Sequence, residues 1–363
     1  MYQSLLQTDF WAKFKESGGW LVAKYGELYG LTRQLPFGKS LLYFPEIPLN
    51  DRFPYAFKRI FDQEPNSLTS DQTNEQIGEI KGSVGGRILT RFEFLEPWSN
   101  EQATKLVELG LVKAFEDVQP EYRQWLDLNK SENELLEEMK PKGRYNIGVA
   151  KKHDLKVVWG INDQSVKVLF ELYQQTAQRA DFQGRNLGYF QKLAKILVEN
   201  KAGDIVIVSK DNLPLSALLL SFYDGVCSYL YGGSGVRQPA DRSLMAPYLA
   251  HWEAIHRAKQ EGCVRYDLLA IAPFQPTAVS NVASARSSPK IRSQLSAQSE
   301  EPIADSRLLI ASDSSHPHAG LTRFKTQFGG QSVRLLGSWD LVHSRYWYMI
   351  YRFIERRRRK TTR

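Results

Sequence analysis

The sequence predicts an α/β protein, α+β in its local order, built from two successive units. Three observations lead there. Short β-type runs alternate with amphipathic helical patterns from one end to the other. The 363 residues suffice for two domains of roughly 100–200 residues each. Near the middle, the helix-start signal Ser131-Glu132-Asn133-Glu134 is followed by Pro141, which places a boundary between 141 and 142.

Taken in order, 20–35 reads as a hairpin with Gly26 near its turn, 41–45 as a strand and 55–61 as part of a helix. The polar stretch 66–86 reads as a solvated excursion. A strand is expected over 87–95, a helix over 100–109 and a strand over 122–128. Ser131 should cap a helix running to Met139, which Pro141 stops. Beyond it, 144–153 is helical, 155–159 a strand, and 163–179 and 187–199 are amphipathic helices. Strands follow at 205–209, 215–223 and 227–231, the first two joined by the turn pair Asp211-Asn212. A helix over 243–261 precedes a strand over 264–270. Eleven of the 41 residues in 275–315 are serine and no apolar period is sustained, which marks an insertion or flexible loop. A short helix over 321–328, a strand over 332–337 and a terminal helix from about Val342 complete the chain.

The composition, 42% apolar, 12% aromatic and 24% charged, excludes disordered, collagen-like and disulfide-scaffold classes. The formal charge of +8 is concentrated at the end: the last twelve residues hold seven cations against Glu355, leaving the body close to balance. The two cysteines, Cys227 and Cys263, sit in apolar strand-like runs and read as buried free thiols in a reducing cytoplasm. Neither a signal peptide nor a run of roughly 18 apolar residues is present, so export and membrane spanning are not expected.

Motifs for phosphate-loop, zinc-protease and serine-hydrolase chemistry are missing, and the six histidines show no pairing that makes a metal site. His316-Pro317-His318 supplies two ligands without a third, so no metal is expected. Gly232-Gly233-Ser234-Gly235 reads either as a phosphate cradle or as a plain tight turn.

Five segments carry a resemblance: FWAKFKESGGW (10–20), KGRYNIGVAKKHDLKV (142–157), YGGSGVRQPADRSLMAPYLAHWEAIHRAKQEG (231–262), RYDLLAIAP (265–273) and HPHAGLTRFKTQFGG (316–330). In this order they resemble the Fem family, the FemA/FemB/FemX-like aminoacyltransferases that build peptidoglycan bridges from aminoacyl-tRNA. The resemblance implies two tandem GNAT-like acyltransferase domains: residues 1–141, completed by a C-terminal segment of about 338–363, and residues 142–337 with the insertion 275–315. No heptads long enough for the coiled-coil arm of some family members occur, and relatives connect RYDLLAIAP to HPHAGLTRFK more directly.

The resemblance also implies roles. Lys15, with Lys13 as fallback, matches a phosphate-contacting lysine, and Arg185 in GRNLGYF a matching arginine, with Tyr189 in the same cleft. Lysine and arginine give charge-assisted hydrogen bonds to the diphosphate of a nucleotide- or lipid-linked muropeptide. The RFK motif puts Phe324 and Lys325 at the transfer site, Lys325 stabilising the oxyanion or the leaving ribose oxygen. Read without the family, Lys15 is a surface lysine and Lys325 decorates a helix. Glu93 matches an acidic residue considered as a base, the alternative being proton loss to substrate or water. Tyr231 and Arg242 flank the loop where GNAT enzymes hold the cofactor pyrophosphate; the missing [QR]-x-x-G-x-[GA] motif disfavours coenzyme A, and no cofactor is expected beyond aminoacyl-tRNA as co-substrate.

Arg144, Lys151, Lys152 and Lys156, with Tyr145 among them, read either as a tRNA acceptor-stem contact or as a solvated helix face. In the C-terminal SRYWYMIYRFIERRRRK, aromatics precede an arginine cluster, which suits the inner face of an anionic membrane, a tRNA, or a packed helix with a loose end. The expected function is transfer of an amino acid from aminoacyl-tRNA onto the stem peptide of a peptidoglycan precursor. The alternatives are a GNAT-like N-acyltransferase with another donor and a non-catalytic protein that binds RNA or cell-wall precursor.

Overall fold

In the computed structural model, residues 3–50, 53, 67–68, 86–235, 239–274, 303–305 and 316–361 are described. The expected helix over 55–61, and most of 66–86 and 275–315, lie outside them. A 3-10 turn, Leu5–Gln7, leads into α1 (Asp9–Glu16), then β1 (Leu21–Tyr25), β2 (Leu28–Leu35), β3 (Lys39–Ile47), β4 (Ser67–Leu68) and β5 (Arg87–Pro97). Next come α2 (Asn100–Glu108), β6 (Val112–Lys113), β7 (Tyr122–Asp127), α3 (Glu132–Glu138), α4 (Pro141–Lys152) and β8 (Lys156–Trp159). The third stretch holds α5 (Asp163–Arg179), α6 (Leu187–Glu199), β9 (Gly203–Lys210), β10 (Leu213–Tyr223) and β11 (Val226–Ser234). It ends with α7 (Pro239–Ser243), α8 (Ala246–Gln260), β12 (Arg265–Ala270), β13 (Ile303–Asp305), α9 (Ala319–Lys325), β14 (Gln331–Val342) and α10 (Arg345–Thr361).

Local chemistry sets many of these bounds. The Ser131–Glu134 capping box forms as expected, and Pro141, which ends that helix, also opens α4, where a missing N–H costs nothing. Asn162 and Asn186 cap α5 and α6, so both span the expected residues. Asp211 and Asn212 take φ of 50° and 62°, the left-handed pair of a tight hairpin turn. Helix α8 starts later than expected, because Met245 before it is also left-handed, at φ 52°.

The strands connect in the order β4-β1-β2-β3-β5-β14-β7-β12-β11-β10-β9-β8. Strand β14 is the seam. Its first residues, Gln331 to Arg334, pair with β7, and from Leu335 to Val342 it pairs with β5, with a register shift between Leu335 and Gly337. Gly337 sits at φ 61°, where a Cβ would come within 2.8 Å of the Asp117 carboxylate, so glycine permits the step. The strand therefore runs five residues past its expected end.

Two apolar cores cover the faces of the second half. One lies under α8 and α4, centred on Trp252, Ile255, Leu218 and Tyr266; the other lies under α5 and α6, centred on Leu169, Phe190, Leu193 and Leu219. Residues Leu126, Leu128, Leu135 and Met139, all before position 141, join the first of these. Within the serine-rich stretch, Ile303–Asp305 pairs with β14, so these three residues belong to the sheet rather than to a loop.

Candidate active site

Two groups of functional side chains meet on β11. The strand is irregular there: Leu219 faces Tyr231 while the next residue, Leu220, faces Tyr229, leaving Leu230 as an extra residue. This bulge breaks the usual alternation. Tyr229 packs into the core under α8, and Tyr231 into the core under α5 and α6.

Lys325, the last residue of α9, lies on the Tyr229 side and is only 3% exposed. Its Nζ donates to the carbonyl of Ala270 at 2.8 Å and stands 5.5 Å from the centre of the Tyr229 ring. Burial pulls its pKa down to about 7; the Asp267 carboxylate opposes this and the Arg123 guanidinium adds to it. Asp267 and Arg123 form a buried ion pair at 3.0 Å, and Arg123 also donates to Glu46. Phe324 fills the space between rings, its centroid 5.0 Å from Tyr248, 5.3 Å from Phe328 and 5.4 Å from His251. His251 is buried, and burial together with the charge of Lys325 holds its pKa down near 3, so the imidazole is neutral. Its Nδ1 lies 2.8 Å from the Tyr266 hydroxyl.

Phe324 and Tyr248 form one wall of a cavity of about 340 Å³, bounded opposite by Arg179, Ser234 and Arg242. Arg179 donates to the Ser234 carbonyl at 2.6 Å and to its hydroxyl at 3.0 Å, which fixes the guanidinium at the rim. Burial and the nearby Arg242 both lower the Arg179 pKa. Two cations, with the buried Asp241 carboxylate also in the lining, stand beside the first turn of α8 and leave a net positive rim.

On the other side of β11, Arg185, Tyr189 and Tyr231 gather around Lys15 of α1. The Tyr189 and Tyr231 hydroxyls are 2.9 Å apart, Arg185 stacks 5.0 Å over the Tyr189 ring, and Phe14 meets that ring edge-on at 5.3 Å. Burial, and then the charge of Arg185, draw the Lys15 pKa down to about 8. Lys15 lies over Trp11 at 5.2 Å. A lysine drawn into an aromatic wall beside an arginine departs from the plain surface lysine, and it sets two cations side by side.

The structure thus assembles Lys325 with Phe324, and Lys15 with Arg185, Tyr189 and Tyr231. Tyr231 and Arg242, adjacent in the sequence expectation, go to different groups. Glu93 joins neither: it is buried in β5, accepting from Tyr43, from the Gln119 N–H at 2.8 Å and from Ser338 at 2.9 Å, and burial lifts its pKa to about 7. Arg144 is occupied locally, donating to the Leu136, Glu137 and Met139 carbonyls at the end of α3. Lys151 and Lys152 are exposed on α4, Lys151 lying 5.4 Å over Trp252.

Gly232 and Gly233 form neither a cradle nor a turn. They lie within β11, and a Cβ on Gly233 would come within 2.2 Å of the Leu172 backbone, so glycine lets α5 press onto the strand. His316 and His318 belong to a turn in which the His318 N–H donates to His316 Nδ1 at 3.0 Å, and no metal-binding group of side chains occurs among the described residues. Cys227 and Cys263 are both buried free thiols. Sequence analysis missed Arg179, His251, Asp267 and Arg123. The lone acid inside the apolar strand RYDLLA was a usable sign for Asp267, since a buried carboxylate needs a partner.

The fold is shared with FemX: a crystal structure of FemX superposes with a TM-score of 0.71 over 96% of this chain and 94% of its own, at 16% identity. Residues 109–209 and 199–275, a little under half of the chain, match the model of the FemAB family. Two curated relatives, each named Lipid II:glycine glycyltransferase and from two strains of Staphylococcus epidermidis, are 23% identical over 232 residues. These alignments cover 58% of this chain, which spans about half (52%) of the relatives' length.

Proposed function

We propose that the protein is a peptidoglycan-precursor aminoacyltransferase that takes its amino acid from aminoacyl-tRNA. The observation that carries this is Lys325, a buried ammonium whose neighbour Phe324 walls an arginine-rimmed cavity. A solvent-facing Lys325 remote from any cleft would have favoured a binding module.

The acceptor amine attacks the carbonyl carbon of the aminoacyl ester, forming a C–N bond and a tetrahedral oxyanion. Collapse breaks the C–O bond to the terminal ribose, and the proton lost by the amine balances the one gained by the ribose oxygen. Lys325 stabilises the oxyanion or the departing oxygen, its charge strengthened by low-dielectric surroundings. Phe324, between Tyr248, His251 and Phe328, fixes the helix end that carries it.

Arg179 and Arg242 suit the phosphates at the 3′ end of the donor. Lys15 and Arg185 suit the diphosphate of the acceptor, with Tyr189 and Tyr231 closing the cleft. The acceptor is lipid- or nucleotide-linked; the named relatives favour the lipid-linked form. Lys151 and Lys152 lie free on α4 for backbone contacts to tRNA, whereas Arg144 is better explained as a helix cap.

The test is mass spectrometry of the muropeptide after incubation with a mixture of charged tRNAs. A gain of one amino-acid residue, abolished by ribonuclease, supports the proposal. No gain with any charged tRNA on either acceptor rejects it.

A further inference from the structure

Helix α10 packs one face on the first half of the sheet through Trp347, Tyr348 and Tyr351, whose partners include Asp340 and Glu116. Its opposite face is also apolar, yet open: Tyr346 is 65% exposed, Met349 63% and Phe353 56%. These positions fall three and four residues apart, on one stripe, which runs on into exposed Arg356 and Arg357. The sequence then adds Arg358, Arg359 and Lys360. A helix apolar on both faces is ordinarily buried on both, and among the described residues nothing from another element covers the outer stripe.

A second segment extends the patch. Phe37, at the tip between β2 and β3, is 83% exposed and held at φ 63°, a conformation bulky side chains seldom adopt. Its ring lies 6.1 Å from that of Trp347, and Lys39 stands 5.0 Å over the same indole. Trp347 in turn meets Tyr346 of the exposed stripe, ring centroids 5.7 Å apart, so the hairpin-tip aromatic adjoins one end of the stripe and the exposed Arg356 and Arg357 lie at its other end. The chemistry that matches all three is an interface with acyl chains beneath anionic headgroups. RNA could use the cations and stack bases on the rings, but it has no use for the apolar Met349 between them.

We propose that Phe37 and the outer face of α10 form one docking surface for an anionic lipid bilayer. The aromatic and Met side chains enter the headgroup boundary while the C-terminal arginines lie along it. No helix among the described residues is long and apolar enough to cross a membrane, so the contact is peripheral. The inference rests on the proposed function only for the purpose of the contact, which is to bring the site to a lipid-linked acceptor.

The test is co-sedimentation of the full chain with vesicles of phosphatidylcholine, with and without phosphatidylglycerol, and with unacylated tRNA as a competing probe. The triple variant Phe37→Asn, Met349→Gln, Phe353→Gln keeps the fold, since asparagine tolerates the left-handed turn and glutamine the helix. Binding is expected only with phosphatidylglycerol, about tenfold or more weaker in the triple variant, and weaker and less salt-dependent in Arg356→Gln/Arg357→Gln. Equal vesicle binding by wild type and triple variant overturns the proposal, as does a tail that binds tRNA but no vesicle. Transfer separates the two ideas: the triple variant should lose transfer onto acceptor embedded in vesicles and keep it onto a soluble nucleotide-linked acceptor. Vesicle binding without transfer in any format leaves the docking surface standing and rejects the enzymatic reading.

Discussion

Arg123 and Asp267 are joined by a 3.0 Å ion pair across neighbouring strands β7 and β12, and Asp267 is the anion that holds up the pKa of Lys325. The pair sits in the sheet interior, with Glu46 of β3 as the second partner of Arg123. It ties the seam between the halves to the charge state of the proposed catalytic lysine. Asp267→Asn should lower the Lys325 pKa further, so the alkaline fall in transfer rate moves to lower pH. Arg123→Met takes the shared partner from the Glu46 and Asp267 carboxylates and should destabilise the chain by about 3–5 kcal/mol in thermal or urea unfolding.

The lysine has a cost in stability. Its pKa is about 7 in the folded chain and 10.5 when free, so the unfolded chain binds the proton more tightly. Stability should rise between pH 7 and 10.5, and Lys325→Met should flatten that rise. At pH 7 the variant should melt higher, by ~2–4 °C per kcal/mol of burial penalty relieved, while losing activity. Calorimetry across that pH range checks the slope.

Much of the fold was legible because its signals are local. Asn162 and Asn186 caps, the Asp211-Asn212 turn and period-2 strands act over a few residues, and they set α5, α6 and the β9–β10 hairpin. What was hidden depends on contacts distant in sequence. Gly233 read as a loop because its reason, the backbone of α5 at Leu172, lies about 60 residues away, while Gly232 makes room for the Tyr229 ring and the Ala217 carbonyl. The site was half visible: Lys325, Phe324, Lys15, Arg185, Tyr189 and Tyr231 came from motifs, and the structure gathers them into two groups. Arg179 stands in no motif, and His251 and Asp267 lie in family-like segments that attach no role to them, so only packing shows all three beside the cavity or the lysine. Arg144 looked like an RNA contact because its carbonyl partners on α3 are invisible in a count of charges.

Gly233→Ala makes the packing claim measurable. The added methyl meets the Leu172 backbone at 2.2 Å, and neither a strand centre nor a helix backbone yields easily. The variant should lose about 3 kcal/mol or more, seen as a lowered urea midpoint. An unchanged midpoint would mean that α5 does not lie on β11 as described.

Lys15 and Arg185 should act on the acceptor alone. Lys15→Gln and Arg185→Gln should each raise the KM for the muropeptide about tenfold, on the scale of one lost charge-assisted bond, with a small change in kcat. Lys15 carries its proton below about 8, so acceptor affinity should weaken as pH rises through that value, and Lys15→Arg should remove this pH dependence. Titration of binding by calorimetry reads both effects.

The most direct measurement is the single-turnover rate of transfer from charged tRNA to saturating acceptor, for wild type, Lys325→Met and Lys325→Arg, between pH 6 and 9. The account predicts a rate about 100- to 1,000-fold lower in Lys325→Met, the usual loss of one oxyanion donor, with acceptor binding intact. It also predicts a wild-type rate whose protonated-lysine dependence, with an apparent pKa near 7, vanishes in both variants. Transfer by Lys325→Met at the wild-type rate would contradict the account.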